Sequence, residues 1–175
     1  MKRRIFIVML LLASSVVRAE SPRDPYKYFF NETWGDYKEE LAKAKAEGKK
    51  GILFFFEMDE CPFCHYMKMN VLNQPEVQKY YRDNFLNFAI DIEGDVDITT
   101  PEGKEMTQKQ FAFQTRVRAT PVFLFYDLNG KPIHRHTGKT AGVQEFMWIG
   151  EYVAGGYYKK MKYLRFKQKK RNEEK

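Results

Sequence analysis

The chain has 175 residues, 43% hydrophobic and 16% aromatic, enough to bury one substantial core but short for two. Its formal charge of +7 sits at the ends: Lys2, Arg3, Arg4 and Arg18 supply four positive charges, and residues 159–175 carry nine positive charges against two negative. Taking these four and the tail's net seven from +7 leaves residues 20–158 at −4, which excludes a nucleic-acid-binding body despite an overall pI near 9.3.

The opening reads as an export signal over residues 1–19. Three basic residues precede an apolar run from Ile5 to Val17, and Val17-Arg18-Ala19 offers compact residues around a cleavage point. That run is below the roughly 20 residues a membrane-spanning helix needs, so an uncleaved anchor is the weaker alternative. No cysteine sits just after Ala19 to carry a lipid. A single domain over 20–158 and a basic tail over 159–175 complete the expected division, with a periplasmic location.

Ser21 to Phe30 has no clear period. A helix follows to Glu47, with Thr33 as its expected cap and Gly48 as its stop. Gly51-Ile52-Leu53-Phe54-Phe55-Phe56 is an unbroken apolar run, the pattern of a strand buried on both faces. From Cys61 the spacing turns helical through Met67, Val71 and Leu72, is interrupted at Asn73-Gln74-Pro75, and resumes from Glu76 to about Asn84. Phe85 to Ile92 alternates as a strand. Gly94 to Gly103 has the polar, turn-forming composition of a long loop, and a helix is expected from about Lys104 to Thr115, with Met106, Phe111 and Phe113 available for packing. Val122 to Tyr126, a turn at Leu128-Asn129-Gly130-Lys131 and Pro132 to Thr137 make a β-hairpin. A last helix, about Val143 to Val153, turns Phe146, Trp148, Ile149 and Val153 toward the sheet or its rim. The order is that of an α/β domain with an antiparallel end.

The two cysteines, Cys61 and Cys64, stand three positions apart. Such a pair closes too small a loop to staple a fold, so its use is chemical. A strand delivering Cys61 to the first turn of a helix places its sulfur among unpaired N–H groups, at the positive end of the helix dipole, where a thiolate is favoured. Pro62 fits that first turn because its missing N–H would be unpaired there anyway. Cys61 is the expected attacking thiol and Cys64 the resolving one.

These features resemble the thioredoxin superfamily, and within it the exported SoxW-like thioredoxins associated with bacterial sulfur oxidation. The resemblance runs from about Tyr37 to Val153. It rests on Phe54-Phe55-Phe56 leading to Cys61-Pro62-Phe63-Cys64, on the acidic segment Asp91-Ile92-Glu93-Gly94-Asp95, and on Val117 to Phe125 followed by Asn129-Gly130-Lys131. It implies a thioredoxin fold: a central mixed sheet flanked by helices, with a cis Thr120–Pro121 bond facing the N-terminus of the cysteine-bearing helix. It also implies substrate binding by Thr120, Pro121, Pro62 and Phe63, exported protein disulfides as substrates, a membrane electron donor and no cofactor. Thioredoxins carry a buried aspartate six residues before the first cysteine, and this chain has Phe55 there. Glu57, His65 or water are the candidates to move the proton instead.

Other readings compete for the same residues. Cys61-Pro62-Phe63-Cys64-His65 matches the attachment motif of c-type haem, but the preceding strand and the downstream hairpin are not what a small cytochrome requires. Zinc on Cys61, Cys64, His134 and His136 is conceivable because the two histidines share a strand face, though a solvent-facing or edge pair is the simpler reading. Asp91, Glu93, Asp95 and Asp97 lack the spacing of a calcium loop. No metal is therefore expected. The C-terminal tail reads as a frayed, solvated extension, with contact to an anionic membrane surface or an acidic partner as the alternative.

Overall fold

The computed structural model describes residues 21–173; the expected signal segment lies outside them. The elements run α1 (Pro25–Tyr28), α2 (Tyr37–Ala46), β1 (Gly51–Glu57), α3 (Pro62–Asn70), α4 (Pro75–Asn84), β2 (Phe85–Asp91), β3 (Asp97–Thr99), β4 (Glu105–Thr107), α5 (Gln108–Gln114), β5 (Val122–Tyr126), β6 (Pro132–Thr137), α6 (Val143–Ala154), a 3₁₀ turn (Tyr157–Lys159) and α7 (Tyr163–Glu173).

Four strands form a mixed sheet in the order β2-β1-β5-β6. β1 pairs parallel with β2, from Gly51 opposite Phe85 to Glu57 opposite Asp91, and antiparallel with β5, from Ile52 opposite Tyr126 to Phe56 opposite Val122. The central position of β1 explains its unbroken apolar run. Leu53 and Phe55 enter one core with Phe123, Phe125, Phe146 and both cysteines, while Ile52, Phe54 and Phe56 enter the other with Tyr37, Leu41, Phe88 and Phe111. Each face buries large aromatic side chains, which at roughly 1.5–3 kcal/mol apiece supply much of the driving force for folding.

The structure corrects the expected local features at four places. The cap of α2 is Asp36, whose carboxylate accepts from the Glu39 N–H at 2.9 Å, whereas Thr33 accepts from Gly35 N–H in the turn before it. The expected long loop contains β3, which pairs antiparallel with β4, so α5 starts at Gln108 and not at Lys104. Thr107 caps α5 in a reciprocal capping box with Gln110, and Phe113 points outward, 79% exposed. The tail is not frayed through residue 173: α7 seats Phe166, 4% exposed, against Tyr152 and Tyr157. Before and within α7, Tyr158 and Met161 pack on the core, whereas Leu164 is 76% exposed.

Candidate active site

Cys61 is the N-cap of α3 and joins Cys64 in a disulfide. The Cys64 N–H donates to Cys61 Sγ at 3.0 Å, so one otherwise unpaired donor of the helix start already points at the sulfur that would carry the thiolate. Cys61 is 6% exposed and Cys64 1%, which makes Cys61 the sulfur a partner reaches first.

The register of β1 and β5 brings the second part of the site to the same end of the sheet. Phe56 faces Val122, so the Thr120–Pro121 pair, whose peptide bond is cis, precedes β5 where β1 runs out toward Cys61. Pro121 is buried and Thr120 half-buried. The Pro121 carbonyl accepts from Gly138 N–H at 2.8 Å, tying this segment to the Gly138–Gly142 loop. That loop returns to α3, since the Thr140 N–H and hydroxyl both approach Met67 Sδ, at 3.4 and 3.6 Å. Lys139 lies over the Tyr66 ring at 4.4 Å and the Phe63 ring at 6.0 Å. Pro62, Phe63 and His65 are exposed beside the disulfide, with Phe63 at 53%.

Phe55 is fully buried, its ring 5.0 Å from that of Phe123 and 5.7 Å from that of Phe30. The carboxylate missing there reappears two residues on. Glu57 projects from the same face of β1, the face that carries the cysteine core. It is 8% exposed, ion-paired to Lys68 at 2.6 Å, and accepts from the Tyr26 hydroxyl at 2.9 Å; Lys68 also donates to that hydroxyl at 2.8 Å. Burial opposes the charge on Lys68, but its bonds to Glu57 and Tyr26 outweigh this and raise its pKa. Burial and the Glu57 carboxylate raise that of Tyr26, with Lys68 acting the other way. Sequence reasoning picked out Glu57 but missed Lys68, although seven residues after Cys61 and four after Cys64 put it on the cysteine side of α3. It also missed Tyr26 and Lys139.

His134 and His136 lie elsewhere, with their rings half-buried on β6, that of His134 against Tyr152 and Tyr163. They are an edge-strand pair, one of the two forms the sequence reading allowed, and are half-buried where the other form would have them solvent-facing. Among the described residues, no group of three or more metal-ligating side chains converges.

This fold, with a disulfide at a helix N-cap beside a Thr–Pro loop, defines a thioredoxin-like protein. The chain belongs to the thioredoxin-like domain family, whose model matches residues 37–154. A comparison with curated proteins found no match. Among solved structures, the chain is similar to a thioredoxin-fold protein from Helicobacter pylori (21% identity, TM-score 0.61, covering 71% of this chain and 86% of that one). It is also similar to a thioredoxin from Thermus thermophilus (27%, 0.53, 72% and 87%) and to a DsbH oxidoreductase (19%, 0.54, 79% and 93%). The fold and the Cys61–Cys64 pair together support thiol–disulfide oxidoreductase chemistry in general terms.

Proposed function

We propose that this protein reduces disulfides of exported proteins by thiol–disulfide exchange at Cys61 and Cys64. The observation that carries the reading is the Cys61–Cys64 disulfide at the start of α3, with the more accessible sulfur at the N-cap and the Thr120–Pro121 segment at the same end of the sheet. In the reduced protein, the Cys61 thiolate attacks one sulfur of a substrate disulfide and the other leaves as a thiolate. Cys64, deprotonated, then attacks Cys61 Sγ; the substrate's second sulfur leaves, and the Cys61–Cys64 bond closes with two electrons transferred. Thr120 and Pro121 form one wall of the substrate site and Pro62 and Phe63 the other.

Glu57, on the face of β1 shared with the cysteine core and ion-paired to Lys68, takes the proton of Cys64 as the resolving step begins. The finer assignment, a SoxW-like reductant supplied by a membrane electron donor, is supported by the cysteine motif, the acidic segment after β2 and the basic-then-apolar opening of the chain.

One observation favours the opposite direction. Phe55 places no negative charge beneath the disulfide, which favours the Cys61 thiolate, stabilises the reduced form and makes the pair more oxidising. A dithiol oxidase is therefore the second reading. Reduction of insulin disulfides by wild type and by Cys61→Ser tests the enzyme reading. Loss of turnover in the variant is expected; equal rates would leave a peptide-binding module with idle cysteines. Direction is read from the thiol state in growing cells of the exporting host: mostly dithiol for the reductant, almost wholly disulfide for the oxidase.

A further inference from the structure

Eight of the fifteen residues from Lys159 to Glu173 are lysine or arginine, and one, Glu173, is acidic. The fold sorts these cations into two sets. Lys167 and Lys170 turn back to the body, where they pair with Glu145 and, at 2.8 Å, with Glu151. They lie on the side of α7 that Phe166 buries. The opposite side carries Leu164, Gln168 and Arg171 at the spacing of one helix face, flanked by Arg165 and Lys169. All five are exposed, as are Lys159, Lys160 and Lys162 in the turn before α7. Among the described residues, Lys159, Lys160, Lys162, Arg165 and Arg171 enter no ion pair, and Lys169 meets only Glu173, at 3.7 Å.

This array is fixed, not frayed. Tyr152 donates to the Met161 carbonyl at 2.6 Å, and its ring packs 5.4 Å from those of both Tyr163 and Phe166. Like charges held one turn apart, such as Arg165 and Lys169, repel each other, and among the described residues only Glu173, at Lys169, stands against them. An anionic surface approaching from the outer side would relieve that repulsion beyond what water and salt already screen. The exposed Leu164 among the cations narrows the choice, because a phospholipid surface offers headgroup charge to lysine and arginine and an apolar layer just beneath for a leucine. The body supports the same orientation: residues 21–158 are net negative, so the field that draws α7 in pushes the rest away.

We propose that the outer face of α7, with Lys160 and Lys162, docks this protein on an anionic phospholipid membrane. The docking is independent of the disulfide chemistry. Lys167 and Tyr163 both reach Glu145, which also accepts from the Ala141 N–H in the loop beside Phe63, so a docked α7 holds the candidate active site at a set distance from the bilayer.

The test is co-sedimentation of the full chain with phosphatidylcholine vesicles containing about one-third phosphatidylglycerol, against phosphatidylcholine alone. Binding to the anionic vesicles only, lost near 1 M salt, is expected. At roughly fivefold per cation, Lys160→Gln, Lys162→Gln, Arg165→Gln and Arg171→Gln together should weaken it by at least about 100-fold. A Cys61→Ser, Cys64→Ser double variant should bind like wild type, which keeps this result separate from the redox reading. Unchanged far-ultraviolet circular dichroism in the fourfold variant, and a second variant reversing Arg165 and Arg171 to Glu, guard against a folding artefact. Binding that ignores these substitutions, equal binding to neutral vesicles, or binding to soluble polyglutamate with none to vesicles would each overturn the proposal.

Discussion

His134 lies on β6 beneath α7, between the rings of Tyr152 at 5.1 Å and Tyr163 at 5.3 Å, and its Nε2 is buried without a hydrogen-bond partner among the described residues. Burial, with the neighbouring His136 adding to it, pushes its pKa down from 6.5 to about 4. The folded state thus binds its proton less readily than the unfolded chain does. The resulting stability is complete above the unfolded value, is lost as the pH falls from about 6.5 to about 4, and changes no further below that. At 1.36 kcal/mol per unit this amounts to about 3 kcal/mol, a large part of a small domain's stability. Burial lowers His136 as well, which adds loss in the same direction. His134→Phe removes the titration but keeps a ring between the two tyrosines. Urea denaturation from about pH 7.5 to about pH 4 should show wild type losing about 3 kcal/mol more than His134→Phe. Glu145 is held below its ordinary value by Lys167 and the Ala141 N–H despite its burial, and it titrates in both proteins, so it cancels in the difference. Equal losses in the two proteins would refute the reasoning.

Three further outcomes follow from the same contacts. Iodoacetamide near pH 6 should label Cys61 of the reduced protein before Cys64, and the reverse order on peptide mapping would exchange their roles. Phe166→Ala empties the anchor of α7 and should cost about 3 kcal/mol in a urea titration, with proteolysis in α7 preceding cleavage of the body; a loss below about 1 kcal/mol would mean that α7 is held elsewhere. Glu57→Gln should slow insulin turnover by roughly 100-fold, whereas His65→Ala should leave it nearly unchanged; the opposite pattern would move the proton route to His65.

The parts of the fold visible in the sequence are those where one local pattern suffices. A short unbroken apolar run bounded by glycine and charged residues fits a strand covered on both faces, and β1 is that strand. Pro62 after Cys61, and the interruption before Pro75, mark helix starts that the structure keeps. The cysteine pair and the Thr120–Pro121 segment were legible for a different reason, their joint resemblance to a family, since spacing alone would not have put Pro121 beside β1. β3 and β4 were not legible, because three residues are too few for an alternation to register against a polar background. Thr33 and Asp36 are both good caps, and only the path of the chain through Gly35, at φ 90°, decides for Asp36. The tail looked solvated because its composition is basic, yet a single phenylalanine with two inward lysines seats it on α6. The Glu57–Lys68–Tyr26 cluster joins residues 31 and 42 positions apart in the chain, a tertiary fact that no window along the sequence contains.

The most direct test of the exchange mechanism is the fate of Cys61 when Cys64 cannot resolve it. Cys64→Ser, reduced and mixed with a protein disulfide such as that of insulin, should accumulate one mixed disulfide per molecule. Intact-mass measurement and peptide mapping should place it on Cys61, and dithiothreitol should release it. A Cys64→Ser protein that forms no adduct while its Cys61 thiol still reacts with iodoacetamide would contradict the account.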